Sequence, residues 1–331
     1  MRRATIYSIA AELGISASTV SRAFSRPDLV RDSVRQRILD AADQIGYQPS
    51  RAARSVATGR TGLVGLLVPD ITNPFVPPLV RAIEMAAAER QAGVLLVDAR
   101  ANGAAEPGLV VQLKAQVDGL VIVSPRASAS ALSGALGSTA AVVVNRVMRG
   151  MASVVCDNTV AIERAVQALV ADGHETLALL RGPADAWASK RRAEAFRRAA
   201  ADAGVRLLEH GPFEAQFEDG RAAAEAVAAS EASAVLAFDD LMACGVIAGL
   251  TDAGLRVPYD VSVLGCDDVL LARTMTPALS TISAPIGGLG ERAVELLDEV
   301  MAGARIRQER LEGALALRGT TAVARPRKSA A

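Results

Sequence analysis

Cysteine, histidine and aromatic side chains are all scarce in this chain of 331 residues, which has three Cys, two His and 3% Phe, Trp and Tyr combined. Cys156, Cys244 and Cys266 are odd in number and far apart, which argues against a disulfide scaffold and for a reducing cytoplasm. With only His174 and His210, and no close Cys/His/Asp grouping, neither a metal site nor a cofactor is expected. No apolar run approaches the roughly 18 residues that span a bilayer. Arg2 and Arg3 lead into a polar helix rather than the apolar stretch of an export signal, so a cytoplasmic protein without membrane contact is expected. A G-x-x-x-x-G-K phosphate loop and a G-x-S-x-G elbow are both missing, and Gly287–Gly288–Leu289–Gly290 does not match G-x-G-x-x-G. The adjacent acids Asp239–Asp240 and Asp267–Asp268 read as helix caps or hydrogen-bond partners rather than catalytic dyads. An enzyme is therefore not expected.

Charge is balanced overall but not along the chain. Residues 1–60 hold ten arginines against five acids, a net +5, and the remainder carries the compensating excess of acid. A basic head on an acidic body is the electrostatic footprint of a nucleic-acid-binding domain joined to something else. Every cation in that head is arginine, which suits bidentate contacts to guanine edges and phosphates.

Residues 5–26, TIYSIAAELGISASTVSRAFSR, lie within that basic head. One short amphipathic pattern (Ile6, Ile9, Ala10, Leu13) stops at Gly14, and a second starts at Ser16 with Val20, Ala23 and Phe24 on one face. Two short helices joined by a glycine-containing turn form a helix-turn-helix, whose second helix enters the major groove. A plain surface hairpin is the competing reading. Asp32 or Ser33 is expected to cap a third helix ending at Gly46. QPSRAARSVATGRTG then reads as a short helix, Arg51 to Ala57, that orders only against a partner, or as a simple linker.

From Leu63 the pattern becomes alternating strands and helices: LVGLLV, VLLV, GLVIV and AVVV, then, after a second start near 153–158, TLALL, AVLAF and VSVLG. Repeated βα units imply parallel sheets with helices on both faces, and about 260 residues make two such lobes. Ligands of this architecture lie outside the carboxyl ends of the strands. That points to Asp70–Phe75, Ser124–Arg126, Asn145–Arg146, Arg181–Trp187, Asp239–Asp240 and Asp267–Asp268.

The segments TIYSIAAELGISASTVSRAF, IGYQPSRAARSVATGRTGLVGLLVPDITNPF, VDGLVIVSP, DGHETLALL, DDLMACGVIAGLTDAGLRVPYDVSVLGCDD and TPALSTISAPIGGLGERAVELL, in this order, resemble the LacI/GalR family of bacterial transcriptional regulators over essentially the whole chain. The resemblance implies an all-α helix-turn-helix head (1–48), a hinge helix and linker (49–61) and a two-lobed periplasmic-binding-protein-like α/β core (62–325), followed by a tail (326–331). The N-lobe is expected at 62–160 plus 287–312 and the C-lobe at 161–286 plus 313–325, with crossings near 158–162, 284–290 and 312–320. It further implies a homodimer on a pseudo-palindromic DNA operator with a central C·G step, and no heptad repeat follows the core to make a tetramer.

Carried over residue by residue, the resemblance places Ala17, Ser18 and Arg22 at base edges and Thr5, Tyr7, Ser16, Thr19, Ser21 and Tyr47 at phosphates. Ala53 and Arg54 would lie in the minor groove, with Val56 inserted between base pairs where the family usually has leucine; Ser50 stands where asparagine is common. In the effector cleft it implies Asn73, Phe75, Ser124, Asn145, Arg146, Trp187, Arg192, Asp239 and Asp267. Arg192 would clamp vicinal hydroxyls or a carboxylate, and Asp267 would accept from ligand hydroxyls. Asp239 replaces the usual asparagine and Cys266 a common aromatic. As an acceptor-only group Asp239 is expected to favour hydroxyls or amines and to disfavour anions. The expected function is repression of carbohydrate-utilisation genes, relieved by a small sugar-like effector. A corepressor-dependent regulator responding to a purine or other metabolite is the alternative within the class. A solute-binding protein without a DNA role is the alternative outside it, opposed by the basic head.

Overall fold

The computed structural model describes residues 4–47 and 59–325; of these, 4–47, 59–63 and 116–118 form a small unit and the rest a large one. In the small unit α1 (Ile6–Leu13) is opened by Thr5, whose side chain accepts from the Ser8 N–H, and is closed by Gly14 at φ +63°. A left-handed residue there costs glycine nothing and any other residue strain. Helix α2 (Ala17–Ser25) is capped by the Ser16 side chain, which accepts from the Thr19 N–H. Helix α3 (Asp32–Gln44) starts one residue earlier than a cap at Asp32 or Ser33 allows. Arg31 holds the cap position with no side-chain hydrogen bond, and Asp32 lies in the first turn, where its charge favours the helix dipole. Ile9, Val20 and Ile38, one from each helix, are fully buried together, and Ile15 packs against them from the turn. Ser50, Ala53, Arg54 and Val56, and the helix expected over 51–57, lie outside the described residues.

The large unit contains two six-stranded sheets. In the first, β1 (Leu63–Val68), β2 (Gly93–Asp98), β3 (Gly119–Val123), β4 (Ala141–Val144), β5 (Ala152–Asp157) and β11 (Gln308–Glu312) are ordered β11-β5-β4-β3-β1-β2. In the second, β6 (Thr176–Leu180), β7 (Arg206–His210), β8 (Ala234–Leu236), β9 (Ser262–Asp267), β10 (Ser280–Ser283) and β12 (Ala314–Ala316) are ordered β12-β10-β9-β8-β6-β7, with only β12 antiparallel to its neighbour. The chain leaves the first sheet after Asp157, returns after Ser283 through helix Ile286–Met301, and crosses again at Gly313. The crossings are tight: a Cβ on Gly313 would strike the Asn158 side-chain oxygen. Strands β7, β10, β11 and β12 carry no long apolar run. Strand β11 alternates exposed and half-buried residues, and β10 buries Ser280 and Thr281 through hydroxyl hydrogen bonds. Among the described residues no helix is long and apolar enough to cross a membrane.

Asn73–Pro74 forms a turn rather than opening the next helix: the Asn73 side chain accepts from the Phe75 N–H, and the helix runs from Val76 to Glu89. The displaced start leaves the Asn73 amide turned to the C-lobe. In that lobe, helices Phe217–Ala228 and Asp240–Asp252 touch through Gly220, Gly245 and Gly249. A Cβ on Gly245 would land on the Phe217 carbonyl oxygen. Alanine gains up to about 1 kcal/mol over glycine in a helix, but overpacking against backbone costs about 1–3 kcal/mol or more. Gly245→Ala is therefore expected to lower stability by about 1–2 kcal/mol. A urea transition at or above the wild-type midpoint would show that the two helices are free to separate.

Candidate nucleic-acid interface and ligand cleft

The outward face of α2 presents Ser18 and Arg22 to solvent, with Ala17 half-buried beside them and Ser21 and Thr19 at the edges. The Ser16 hydroxyl touches those of both Ser18 and Thr19 at 2.8 Å, which ties together three of the groups expected at the DNA. Thr5 completes a reciprocal cap with Ser8, leaving Tyr7 72% exposed on the first turn of α1. Tyr47 packs against Phe24 with the two rings tilted and their centroids 5.6 Å apart, and burial raises its phenol pKa. The arrangement is a rigid helix end offering one guanidinium and several small hydroxyls, the chemistry of one guanine contact framed by phosphate contacts.

Between the two sheets of the large unit lies a cavity of about 110 Å³. Asn73, Phe75, Ser124, Asn145, Arg146, Trp187, Arg192, Asp239 and Asp267, drawn from both lobes, all line it. Each sits at or just beyond the carboxyl end of a strand, apart from Trp187 and Arg192 in the first turns of helix Trp187–Asp202. Ser124, Asn145 and Asp267 have φ of +43°, +58° and +111°. Backbone strain of this kind clusters at ligand sites.

Arg192 is the electrostatic centre. Its Nη2 donates to Asp267 Oδ1 at 2.6 Å and its Nη1 to the Phe238 carbonyl. Its guanidinium lies 5.0 Å from the Phe238 ring centroid. Burial pushes the Asp267 carboxyl up to about 6 against the pull of Arg192, so the pair is ionised at pH 7. Asp239 differs from its expected part. Its Oδ1 accepts from the Met242 N–H and caps the helix beginning at Asp240, and its Oδ2 accepts from Asn73 Nδ2 at 3.1 Å. Both oxygens are engaged, one of them across the cleft, and burial raises its pKa. Arg146 donates to the Pro125 and Ala127 carbonyls and so anchors a loop while lining the cavity. A second cavity of about 250 Å³ lies beside the first crossing between the sheets, at Asp157 to Thr159, and shares Asn145, Trp187, Ala188 and Arg192 with the first.

Residues 5–50 match the bacterial regulatory proteins of the lacI family, and residues 166–321 match the periplasmic binding protein-like domain. The ribose operon repressor of Escherichia coli K12 is 30% identical over 320 residues, 93% of this chain and 96% of that one. The chain belongs to the LacI family. The lac repressor dimer bound to operator and the anti-inducer ONPF superposes with a TM-score of 0.87 at 26% identity, covering 97% of this chain and all of that one. A ribose-bound LacI family regulator from Enterococcus faecium superposes at 0.72 with 27% identity, over 80% of this chain and all of that one.

This LacI-family member is thus a transcriptional regulator with a helix-turn-helix head and a two-lobed core. Phe238, Gln216 and Arg126 also line the cleft and are among the residues to which the sequence assigned no contact. Phe238 ends the apolar run AVLAF and precedes Asp239, so its position was a usable signal. Gly182 makes room for its ring, which a Cβ there would strike. Arg126 lies in the post-strand segment Ser124–Arg126 but had no contact assigned, and Gln216 carries no such pattern; both touch the opposite lobe.

Proposed function

We propose that this chain represses carbohydrate-utilisation genes and releases its operator when a small, sugar-like effector occupies the interlobe cleft. The observation that carries this reading is the gathering of nine polar and aromatic residues from both lobes around one cavity, in a chain that also bears the DNA-reading head. A sugar hydroxyl placed at the Arg192–Asp267 pair accepts from the guanidinium and donates to the carboxylate, while Phe75 and Trp187 offer apolar faces to a ring. The relatives named for ribose and the ribose-bound neighbour support a sugar as the first candidate. The protein acts in the cytoplasm as a homodimer on a pseudo-palindromic operator and has no catalytic role. Ala53 and Arg54 act in the minor groove, with Val56 as the wedge at the central step, and Ser50 contacts the DNA beside them. An effector that binds the DNA-incompetent arrangement more tightly is an inducer, and only that difference in affinity shifts the balance.

Thermal melting of the purified protein with ribose, other neutral sugars, polyols, sugar acids and purines tests the cleft. A ligand at about 100 times its dissociation constant stabilises by about 2.7 kcal/mol. A neutral sugar that both stabilises and releases DNA supports induction. A purine that stabilises and tightens DNA binding replaces it with corepression. For the head, Arg22→Ala is expected to weaken operator binding by about 1–3 kcal/mol and to relax one base preference per half-site. Selection from a randomised operator library reads this directly, and an unchanged preference would remove Arg22 from the base edges.

A further inference from the structure

The loop that follows β3 is held more firmly than a surface loop needs to be. Glu106, only 2% exposed, accepts from the Arg126 N–H at 2.9 Å and from the Ala127 N–H at 2.9 Å. Arg146 takes the carbonyls of Pro125 and Ala127 from the other side. Gly103 leaves space for the Arg126 stem, since a Cβ there would sit 2.7 Å from Arg126 Cβ. Two buried or half-buried charges and a glycine thus fix one loop whose outward product is a single side chain.

That side chain crosses the cleft. Arg126 Nη2 donates to Glu214 Oε2 at 3.0 Å, and Nη1 lies 3.7 Å from Asp185 Oδ1. Both acids belong to C-lobe loops, Asp185 between β6 and helix Trp187–Asp202 and Glu214 between β7 and helix Phe217–Ala228. The arginine is 14% exposed, whereas Asp185 and Glu214 are 54% and 55% exposed. Beside this contact Gln216 Nε2 reaches Asp70 Oδ2 at 3.5 Å, and Asn73 reaches Asp239. We propose that Arg126 is an interlobe latch, mounted rigidly on the N-lobe, that holds the cleft closed without effector by gripping Glu214 and Asp185. Ion pairs with solvent-exposed partners are weak and salt-screened, which suits a contact that is made and broken in each binding cycle. The latch sets the proportion of closed protein before ligand arrives, and hence the apparent affinity of any effector. It concerns the lobes themselves and holds whatever the effector proves to be.

Trp187, the only tryptophan, lines the cleft and reports its opening without any ligand. In the full-length protein Arg126→Ala is expected to shift its emission to the red and raise its acrylamide quenching constant by roughly threefold. Asp185→Asn with Glu214→Gln, changed from the other lobe, is expected to do the same and to add nothing to Arg126→Ala. Raising salt to 1 M, where the Debye length falls to about 3 Å, moves the wild type toward the variants and leaves them unchanged. Exchanging charges in Arg126→Glu with Glu214→Arg restores the wild-type signal. Wild-type quenching in the Asp185→Asn, Glu214→Gln protein, or additive effects from the two sides, overturns the latch. Failure of every sugar to bind would overturn the proposed effector class and leave these readings intact.

Discussion

Asp267→Ala is expected to destabilise the protein by about 3–5 kcal/mol, because it strands a buried guanidinium. Arg192 and Asp267 are 11% and 9% exposed, so water does not replace the lost carboxylate. What remains around Arg192 is the Phe238 carbonyl and ring, which satisfy one N–H and one face of a cation whose proton is held tightly by its surroundings. Asp267→Asn keeps an acceptor for Nη2 and loses only the charge, so its cost is expected to be smaller, about 1–3 kcal/mol. Combining Asp267→Ala with Arg192→Met removes both charges. A buried pair exchanged for apolar groups of similar volume is often neutral, so most of the stability should return. Sugar binding should not return with it. Chemical denaturation of the three variants separates the two roles. A loss below about 1 kcal/mol for Asp267→Ala would mean that Arg192 reaches solvent, and that the cleft is more open than its burial shows.

Which features were legible in the sequence follows from the range of the interactions behind them. The head was legible because its signals are local. Gly14 ends one helix and Ser16 opens the next within three residues, and Val20 and Ala23 fall on the buried face by helical spacing. The residues gathered at the cleft were legible for a topological reason: side chains after parallel strands converge whatever their identity. Arg31, Asn73 and Asp239 mark the limit. A helix start depends on one competing hydrogen bond, and Asn73 used its oxygen for Phe75 and its amide for a residue 166 positions away. The edge strands Arg206–His210 and Gln308–Glu312 were hidden because half of each faces solvent, so no apolar run announces them. The partners of Arg126 lie 59 and 88 residues along the chain in the other lobe, where no periodicity records them.

The same long-range packing makes Asp240 the source of an unusual pH dependence. It is 1% exposed, and its carboxyl accepts from the Val269 N–H at 2.9 Å and the Thr281 hydroxyl at 2.6 Å. Gly265 passes so close that a Cβ would strike its Oδ1. Burial, with the neighbouring Asp267 and Asp239, pushes its pKa from 3.8 up to about 8. The folded protein therefore holds a proton that the unfolded chain has released, and stability falls as pH rises between those two values. Asp267 acts in the same direction, but its part is complete near its own value of about 6. His174, whose pKa burial lowers, acts in the opposite direction and is common to wild type and variant. Asp240→Asn removes the titration and keeps the geometry, with its Oδ1 accepting from Val269 and its Nδ2 donating to the Thr281 oxygen. At about 1.4 kcal/mol per pH unit, the variant's advantage over wild type should grow by about 2–3 kcal/mol between pH 6 and pH 8. Accumulated from pH 4, the gain approaches about 5 kcal/mol. Parallel stability curves for the two proteins across that range would place the proton elsewhere. Convergence at pH 4 with divergence above it would show that the buried acid under the cleft floor is carried protonated, at the expense of stability in alkaline conditions.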